Sequence, residues 1–319
     1  MRGLTSIVIP IYNERENIGE LYERLKGALS GLNYEIVFVD DGSKDGSTEI
    51  IRDIALKDER VKGVILKRNY GQTSALSAGF EIAKGDVIIT MDGDLQNDPE
   101  DIPLLLQKID EGYDVVSGWR KARKDHFLKR KLPSSIANWI ISRITGVKLH
   151  DYGCTLKAYR REILEDLSLY GELHRFIPAL ASMNGAKVTE VIVKHHPRKR
   201  GKSKYGLERI PKVLLDTLLV KFLLSYRTRP IHLLGGWGLI GFFAGFLIAL
   251  YLSIQKLFWG IELSRRPMLL LAVLLMIAGI QLISTGLIAE MLMRTYYESQ
   301  GKKPYQIKEI LSCERKDFT

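Results

Sequence analysis

Over the first 120 residues, hydrophobic positions fall into two alternating rhythms. Short apolar runs at 6–10, 35–39, 61–66, 87–91 and 114–117 stop at polar loops. Between them apolar residues recur three and four apart, as with Ile18, Leu21, Leu25, Ala28 and Leu29. The runs read as buried strands and the spaced segments as amphipathic helices. Helices are predicted over 14–30, 47–56, 73–83 and 98–111. The last is opened by Asp98 as N-cap, with Pro99 at its first position. Strands alternating with helices predict an α/β domain whose mostly parallel sheet is covered on both faces. Ligands of such sheets sit beyond the carboxyl ends of the strands. That rule gathers Tyr12 and Glu14, Asp40 and Asp41, and Asp92 and Asp94 on one rim.

The pattern changes further on. Residues 231–255 and 268–289 carry no acidic or basic side chain, His232 being neutral. As helices at 1.5 Å per residue they measure roughly 37 and 33 Å, against a hydrocarbon core of about 30 Å. They predict a transmembrane hairpin over 231–255 and 268–292; core helices of a soluble protein are the alternative. The first strand begins by Ser6, which leaves no cleavable signal peptide, so both ends of the hairpin are expected in the cytoplasm. Arg227 and Arg229 before it and Arg294, Lys302 and Lys303 after it agree, although Arg265 and Arg266 occupy the connection. Gly236 to Gly241 matches GxGxxG, but without a strand before it or an acid ahead of Glu262. These glycines read as close helix packing in lipid, compatible with a homo-oligomer. Residues 126–145 and 205–226 interleave apolar and basic positions and are expected to lie at the headgroup plane, where a core-packing helix would show the same apolar face. The organisation is thus an α/β domain over 1–204, an interface helix over 205–226, two spans, and a cytoplasmic tail over 293–319.

Composition narrows the chemistry. The 319 residues include 47 Lys+Arg and 37 Asp+Glu, a formal net charge of +10. That excess suits a polyanionic partner such as an acidic membrane or a phosphate-bearing substrate. A nucleic acid is not expected, because no binding motif is recognisable and two apolar runs would go unexplained. Two cysteines, Cys154 and Cys313, argue against a disulfide framework. Neither a CxxC nor an HExxH zinc spacing occurs, and His196 stands where GxxxxGK[ST] would need its first glycine.

Candidate chemistry concentrates at "MDGDLQNDPE". Two carboxylates about 5 Å apart repel by about 3 kcal/mol at an effective dielectric near 20. A cation shared with a phosphate removes that cost, whereas a solvated acidic turn needs no ligand. Arg120, closing Gly118-Trp119-Arg120 at a strand end, could fork onto a diphosphate or sit in solvent. "HHPRKRGKSKYG" is either a solvated charge run or a basic loop able to clamp a phosphate, with Gly201 letting it bend.

Together these stretches resemble the family 2 glycosyltransferases that act on polyprenyl phosphates, over nearly the whole chain. "VIPIYNERENI" is similar to the nucleotide-binding start of dolichol-phosphate mannose synthases, "VDDGSKDGS" to their base- and ribose-binding loop, and "MDGDLQNDPE" to their DxD metal motif. The two spans resemble the membrane-anchored subgroup that includes bactoprenol glucosyltransferases. "KRNYGQTSALSAGF", "DYGCTLKAYRR" and "RGKSKYG" are most similar to undecaprenyl-phosphate formamido-arabinose transferases. One departure is Ala289-Glu290-Met291, where relatives often carry Gly-Glu-Tyr.

The resemblance implies a GT-A type domain and an inverting, metal-dependent transfer. The donor would be a nucleotide-diphospho-sugar, UDP-linked in the nearer relatives, and the acceptor a polyprenyl phosphate in the cytoplasmic membrane. Pro10, Tyr12, Glu14, Val39, Asp41, Asp92 and Gly93 would hold the nucleotide sugar. Asp94 and Gln96 would hold Mg²⁺ or Mn²⁺, and Asp94, Arg120 and Asp151 would carry the catalysis. Arg200, Ser203 and Lys204 would bind the acceptor's phosphate. A GDP-mannose:dolichyl-phosphate transferase and a non-catalytic nucleotide-binding sensor remain alternatives. A processive polysaccharide synthase would be expected to carry QxxRW, and no Arg-Trp pair occurs.

Overall fold

A computed structural model of the chain describes residues 3–121, 142–143, 146–165, 167, 173–197 and 304–313, plus isolated helical positions at 277, 281, 284, 288, 291, 292 and 295. The chain divides into one unit of Met1–Thr217 with Pro304–Thr319 and a second of Leu218–Lys303. The expected interface helices at 126–145 and 205–226 lie outside the described residues, apart from 142 and 143. Of the two apolar runs, only the isolated positions above are described. Among the described residues no helix is long and apolar enough to cross a membrane.

The first unit is built on an eight-stranded sheet. Its strands are β1 (Thr5–Ile11), β2 (Tyr34–Asp40), β3 (Val61–Leu66), β4 (Val87–Thr90), β5 (Val115–Trp119), β6 (Lys157–Arg160), β7 (Val188–Ile192) and β8 (Ile307–Leu311). They lie in the order β7-β5-β6-β4-β1-β2-β3-β8. The expected parallel core is present: β1 pairs with β2 and β4, and β2 with β3, all parallel. β6 is inserted antiparallel between β4 and β5, and β8 is antiparallel on β3.

The alternation of apolar runs and helical spacing becomes α1 (Arg15–Ala28), α2 (Ser47–Ala55), α3 (Gln72–Ile82) and α4 (Ile102–Asp110). Asp98 caps as expected, accepting from Glu100 N at 3.1 Å. Pro99–Asp101 forms a 3₁₀ turn before α4 begins. α1 buries Ile18, Leu21 and Leu25 on the stripe read from spacing, and β2 is buried along its whole length. Two further short helices, α5 (Arg161–Glu165) and α6 (Ile177–Met183), follow β6.

β8 comes from the stretch expected to be only a tail. It is fixed at the edge by a two-point ion pair from Arg52 of α2 to Glu309, at 2.9 and 2.8 Å. Lys67 N also donates to Gln306 O at 3.0 Å, and Tyr305 Oη to Glu81 at 2.8 Å. The chain therefore leaves the sheet, runs through the second unit, and returns to the same sheet.

Candidate active site

Four loops meet at the carboxyl ends of β1, β2, β4 and β5. After β1, Asn13 takes a left-handed conformation at φ 52°. Its N–H donates to Ser43 Oγ at 2.9 Å, and its side-chain oxygen accepts from Lys44 N at 2.8 Å. Glu14 N donates to Ser47 Oγ at 3.1 Å. The β1 and β2 loops are thus laced together. Gly42 is required there: at φ 71°, a Cβ would lie 2.5 Å from the Arg68 backbone.

Asp41 does something the sequence did not reveal. Its two carboxylate oxygens accept Tyr70 N at 2.7 Å and Gly71 N at 2.9 Å, at the entrance to α3. Burial raises its pKa against those two hydrogen bonds. The next residue, Gln72, donates through Nε2 to Asp92 Oδ1 at 2.9 Å. A continuous relay therefore runs from the β2 loop through α3 to the acidic loop. Val39 is wholly buried, and a Cβ on Gly79 of α3 would come within 3.0 Å of its side chain. It sets the spacing of β2 and α3. Pro10 and Asp92 line a small pocket together with Gln72 and Leu76 of α3.

The acidic triplet is not held by strand alternation, as an extended chain would require. β4 ends at Thr90, and Gly93-Asp94 form a turn. Leu95, at φ 61°, turns the chain, burying its own side chain in the core. Such a conformation is strained for a leucine, and the core contact offsets the strain. Asp94 Oδ1 accepts Gln96 N at 3.1 Å. A Cβ on Gly93 would stand 2.4 Å from Ile11 Cδ1, so the loop lies directly on the end of β1.

Among the described residues no group of three acidic, His or Cys side chains could hold a metal. Two carboxylates and the Gln96 amide oxygen nevertheless fit Mg²⁺ or Mn²⁺, because such ions usually take one or two carboxylates and complete their shell with substrate phosphates and water.

Arg120 and Asp151 are brought together. Nε and Nη2 of Arg120 reach the two Asp151 oxygens at 2.7 and 3.0 Å, with both side chains nearly buried. Gly153 N adds a bond to Asp151 at 3.1 Å. Burial alone would lower the guanidinium's pKa; the bonds to Asp151 outweigh it and leave it raised, with the Asp92 charge contributing. A permanent cation is thereby oriented beside the acidic loop.

Arg200, Ser203 and Lys204 lie outside the described residues, but the root of their loop does not. Asn97 and His195 form an isolated bridge, and His196 N donates to Gln96 O at 2.8 Å. His196 Nε2 lies 2.9 Å from Asp98 Oδ2. The described chain is therefore fastened to the acidic loop at His195 and His196, just ahead of the basic stretch in sequence. Sequence reasoning also missed Lys157 and His174, which line the pocket with Gln72, Thr155 and Tyr159. Gln72 and Lys157 sat inside quoted motifs without a role, whereas His174 had no local signal.

Residues 6–168 match glycosyl transferase family 2, a span that contains the loops after β1, β2, β4 and β5. The chain belongs to that family. This glycosyltransferase is 44% identical over 312 residues to a dodecaprenyl-phosphate galacturonate synthase of Rhizobium johnstonii, covering 96% of this chain and 92% of that one. It is 39% identical to an undecaprenyl-phosphate 4-deoxy-4-formamido-L-arabinose transferase of Aeromonas hydrophila, covering 97% and 94%. Its fold is similar to the crystal structure of glucosyl-3-phosphoglycerate synthase from Mycobacterium tuberculosis in complex with Mn²⁺, UDP and glucosyl-3-phosphoglycerate. There the TM-score is 0.53 at 20% identity, covering 69% of this chain and 80% of that one. The family's domain is an α/β fold of GT-A type with a mostly parallel sheet.

Proposed function

We propose that this glycosyltransferase moves a sugar from a UDP-linked donor to a membrane polyprenyl phosphate such as undecaprenyl phosphate, with inversion at the anomeric carbon. The observation that carries the reading is the convergence of Asp92, Asp94, Gln96 and the Arg120–Asp151 pair at the strand ends, with the chain just ahead of the basic stretch fastened to the same loop. Full-length similarity to two polyprenyl-phosphate sugar transferases supports the choice of acceptor.

An acceptor phosphate oxygen attacks the anomeric carbon as the bond to the donor's β-phosphate oxygen breaks, giving nucleoside diphosphate and a polyprenyl-monophosphate sugar. The attacking group is already an anion, so no general base is required. Asp151 then acts by holding Arg120. Arg120, fixed and charged, neutralises the leaving diphosphate. A divalent cation held by Asp94 and Gln96, with Asp92 beside them, would supply further neutralisation of that diphosphate.

The two apolar runs, on this reading, cross the cytoplasmic membrane as a hairpin. The return of the chain to the sheet as β8 supports it, because both ends of the intervening segment then belong to one side. Basic residues at 126–145 and 205–226 would hold the site at the headgroup plane.

The test is Asp94→Asn in membranes given undecaprenyl phosphate and labelled UDP-sugars. Organic-extractable label should fall by at least about 100-fold with membrane insertion intact. Near-normal glycolipid formation by that variant after chelation of divalent ions would refute the assignment. A sensor without catalysis would bind nucleotide and give no glycolipid in the wild type.

A further inference from the structure

The Arg120–Asp151 pair has a second pair directly behind it in sequence. Trp119 ends β5 one residue before Arg120, and His150 stands one residue before Asp151. Their rings stack, with centroids 4.2 Å apart and planes 15° from parallel. Lys121 Nζ also stands over the Trp119 ring, 5.4 Å from its centroid. His150 is gripped at two points by Glu190 of β7. Its backbone N–H donates to Glu190 Oε2 at 2.8 Å, and its ring Nδ1 meets Glu190 Oε1. β7 lies parallel on β5, with Ser117 opposite Glu190 and Trp119 opposite Ile192. Alternate residues of a strand point the same way. Glu190 and Trp119 therefore project from one face of the β5–β7 pair, and His150 closes the triangle. The mechanism above uses none of these three residues.

The His150 side chain is 65% exposed, so burying its ring contributes little to the fold. A side chain so far into solvent ordinarily keeps its rotamer freedom, and holding it still has an entropic cost. Here a stack and a two-point grip hold it. What they fix lies next along the chain. Residues 147–156 belong to no strand or helix, so no backbone ladder sets where Asp151 stands. Asp151 in turn aims Arg120, accepting from its Nε and Nη2 at 2.7 and 3.0 Å and, more distantly, from its backbone N at 3.4 Å. A forked pair of this kind is directional. A displacement of the carboxylate by about 1 Å would swing the guanidinium out of line.

We infer that His150, clamped by Glu190 and stacked on Trp119, is a positioning residue that holds Asp151, and through it Arg120, in the geometry that meets a nucleoside diphosphate. This role rests on the proposed nucleotide-sugar reading of the site. The edge strand β7 thereby takes part in ligand recognition without a side chain on the ligand: Glu190 sets His150, His150 sets the backbone entering Asp151, and Asp151 sets Arg120.

The experiment is calorimetric titration of UDP, with Mn²⁺, into the full-length protein in nanodiscs. His150→Ala should weaken UDP binding by about 10-fold, the size of one charge-assisted hydrogen bond. Glu190→Ala should do the same, whereas Glu190→Gln, whose amide oxygen still accepts the His150 N–H, should keep wild-type affinity. In the Arg120→Met, Asp151→Leu background His150→Ala should change nothing, because the pair it positions is gone. A purely structural contact would lower Tm in every background and leave UDP affinity untouched. His150→Ala binding UDP as wild type does, whatever its Tm, overturns the inference. So does an equal loss in both backgrounds, which would place His150 on the nucleotide itself. Should the Arg120→Met, Asp151→Leu chain not fold, the two Glu190 variants decide, and equal UDP affinities for them overturn the inference. A wild type that binds no UDP would sink the nucleotide-sugar reading and this role with it; a wild type that binds UDP with equal losses in both backgrounds sinks this role alone.

Discussion

Asp151→Asn isolates the pair on which the positioning of Arg120 depends. The carboxylate accepts from Arg120 Nε, Arg120 Nη2 and Gly153 N at 2.7, 3.0 and 3.1 Å, and the pair's side chains are 13% and 9% exposed. An asparagine has nearly the same volume but one acceptor oxygen. Its amide group must therefore meet one of those donors, and the guanidinium loses its counter-charge. Breaking a buried pair from one side costs roughly 3–5 kcal/mol. For a domain of this size each kcal/mol lowers Tm by about 2–4 °C, so the fall should be roughly 6–20 °C. Arg120 would also leave its trajectory toward the diphosphate, and sugar transfer should drop by about 100-fold. Thermal unfolding of the purified protein and a transfer assay below the variant's Tm separate the two effects. The double variant Arg120→Met, Asp151→Leu is the uncharged reference: it should unfold at a higher temperature than Asp151→Asn, because no buried charge is left unpaired, yet transfer no faster. A shift in Tm below about 2 °C with transfer near wild type would refute the reasoning.

Two further outcomes follow from the geometry. Gly93→Ala drives a Cβ toward Ile11 Cδ1, 2.4 Å away in a filled core, and should destabilise by about 1–3 kcal/mol; Ile11→Val in the same chain should recover part of the loss in a thermal-shift assay. Lys157→Met should raise the stability of the ligand-free protein at pH 7. The folded amine titrates at about 8 against an ordinary 10.5, so between those values the unfolded chain holds more protons and wild-type stability climbs with pH. The gap between variant and wild type, at most on the order of 3 kcal/mol, should close from pH 8 to 10.5; a gap that does not vary with pH would sink this reasoning.

What was legible in the chain was local. The strands β1 to β5 announce themselves because each is an apolar run cut off by a polar loop, and Asp98 because a cap acts on a backbone N–H two residues away. β6 was not legible: Lys157 to Arg160 begins and ends with a basic residue, and only its insertion between β4 and β5 explains a buried lysine. β7 and β8 are edge strands with mixed burial, so no uniform apolar run marks them. The site divides in the same way. The strand-end rule found Asp41, Asp92 and Asp94, but not that Asp41 orders α3 or that Gln72 passes that order to Asp92. The Arg120–Asp151 pair joins residues 31 apart, and no local pattern encodes it.

The origin of β8 has a consequence for biogenesis. β3 keeps an open edge of unpaired N–H and C=O groups until residues 307–311 exist to cover it. At roughly 5–20 residues per second, a ribosome needs on the order of 10 to 50 s to travel from the end of β3 to β8. For that interval the nascent sheet offers a template for any passing strand. Chaperone demand during synthesis should therefore centre on β3, and a transcript truncated before β8 should yield a protein that aggregates through that edge.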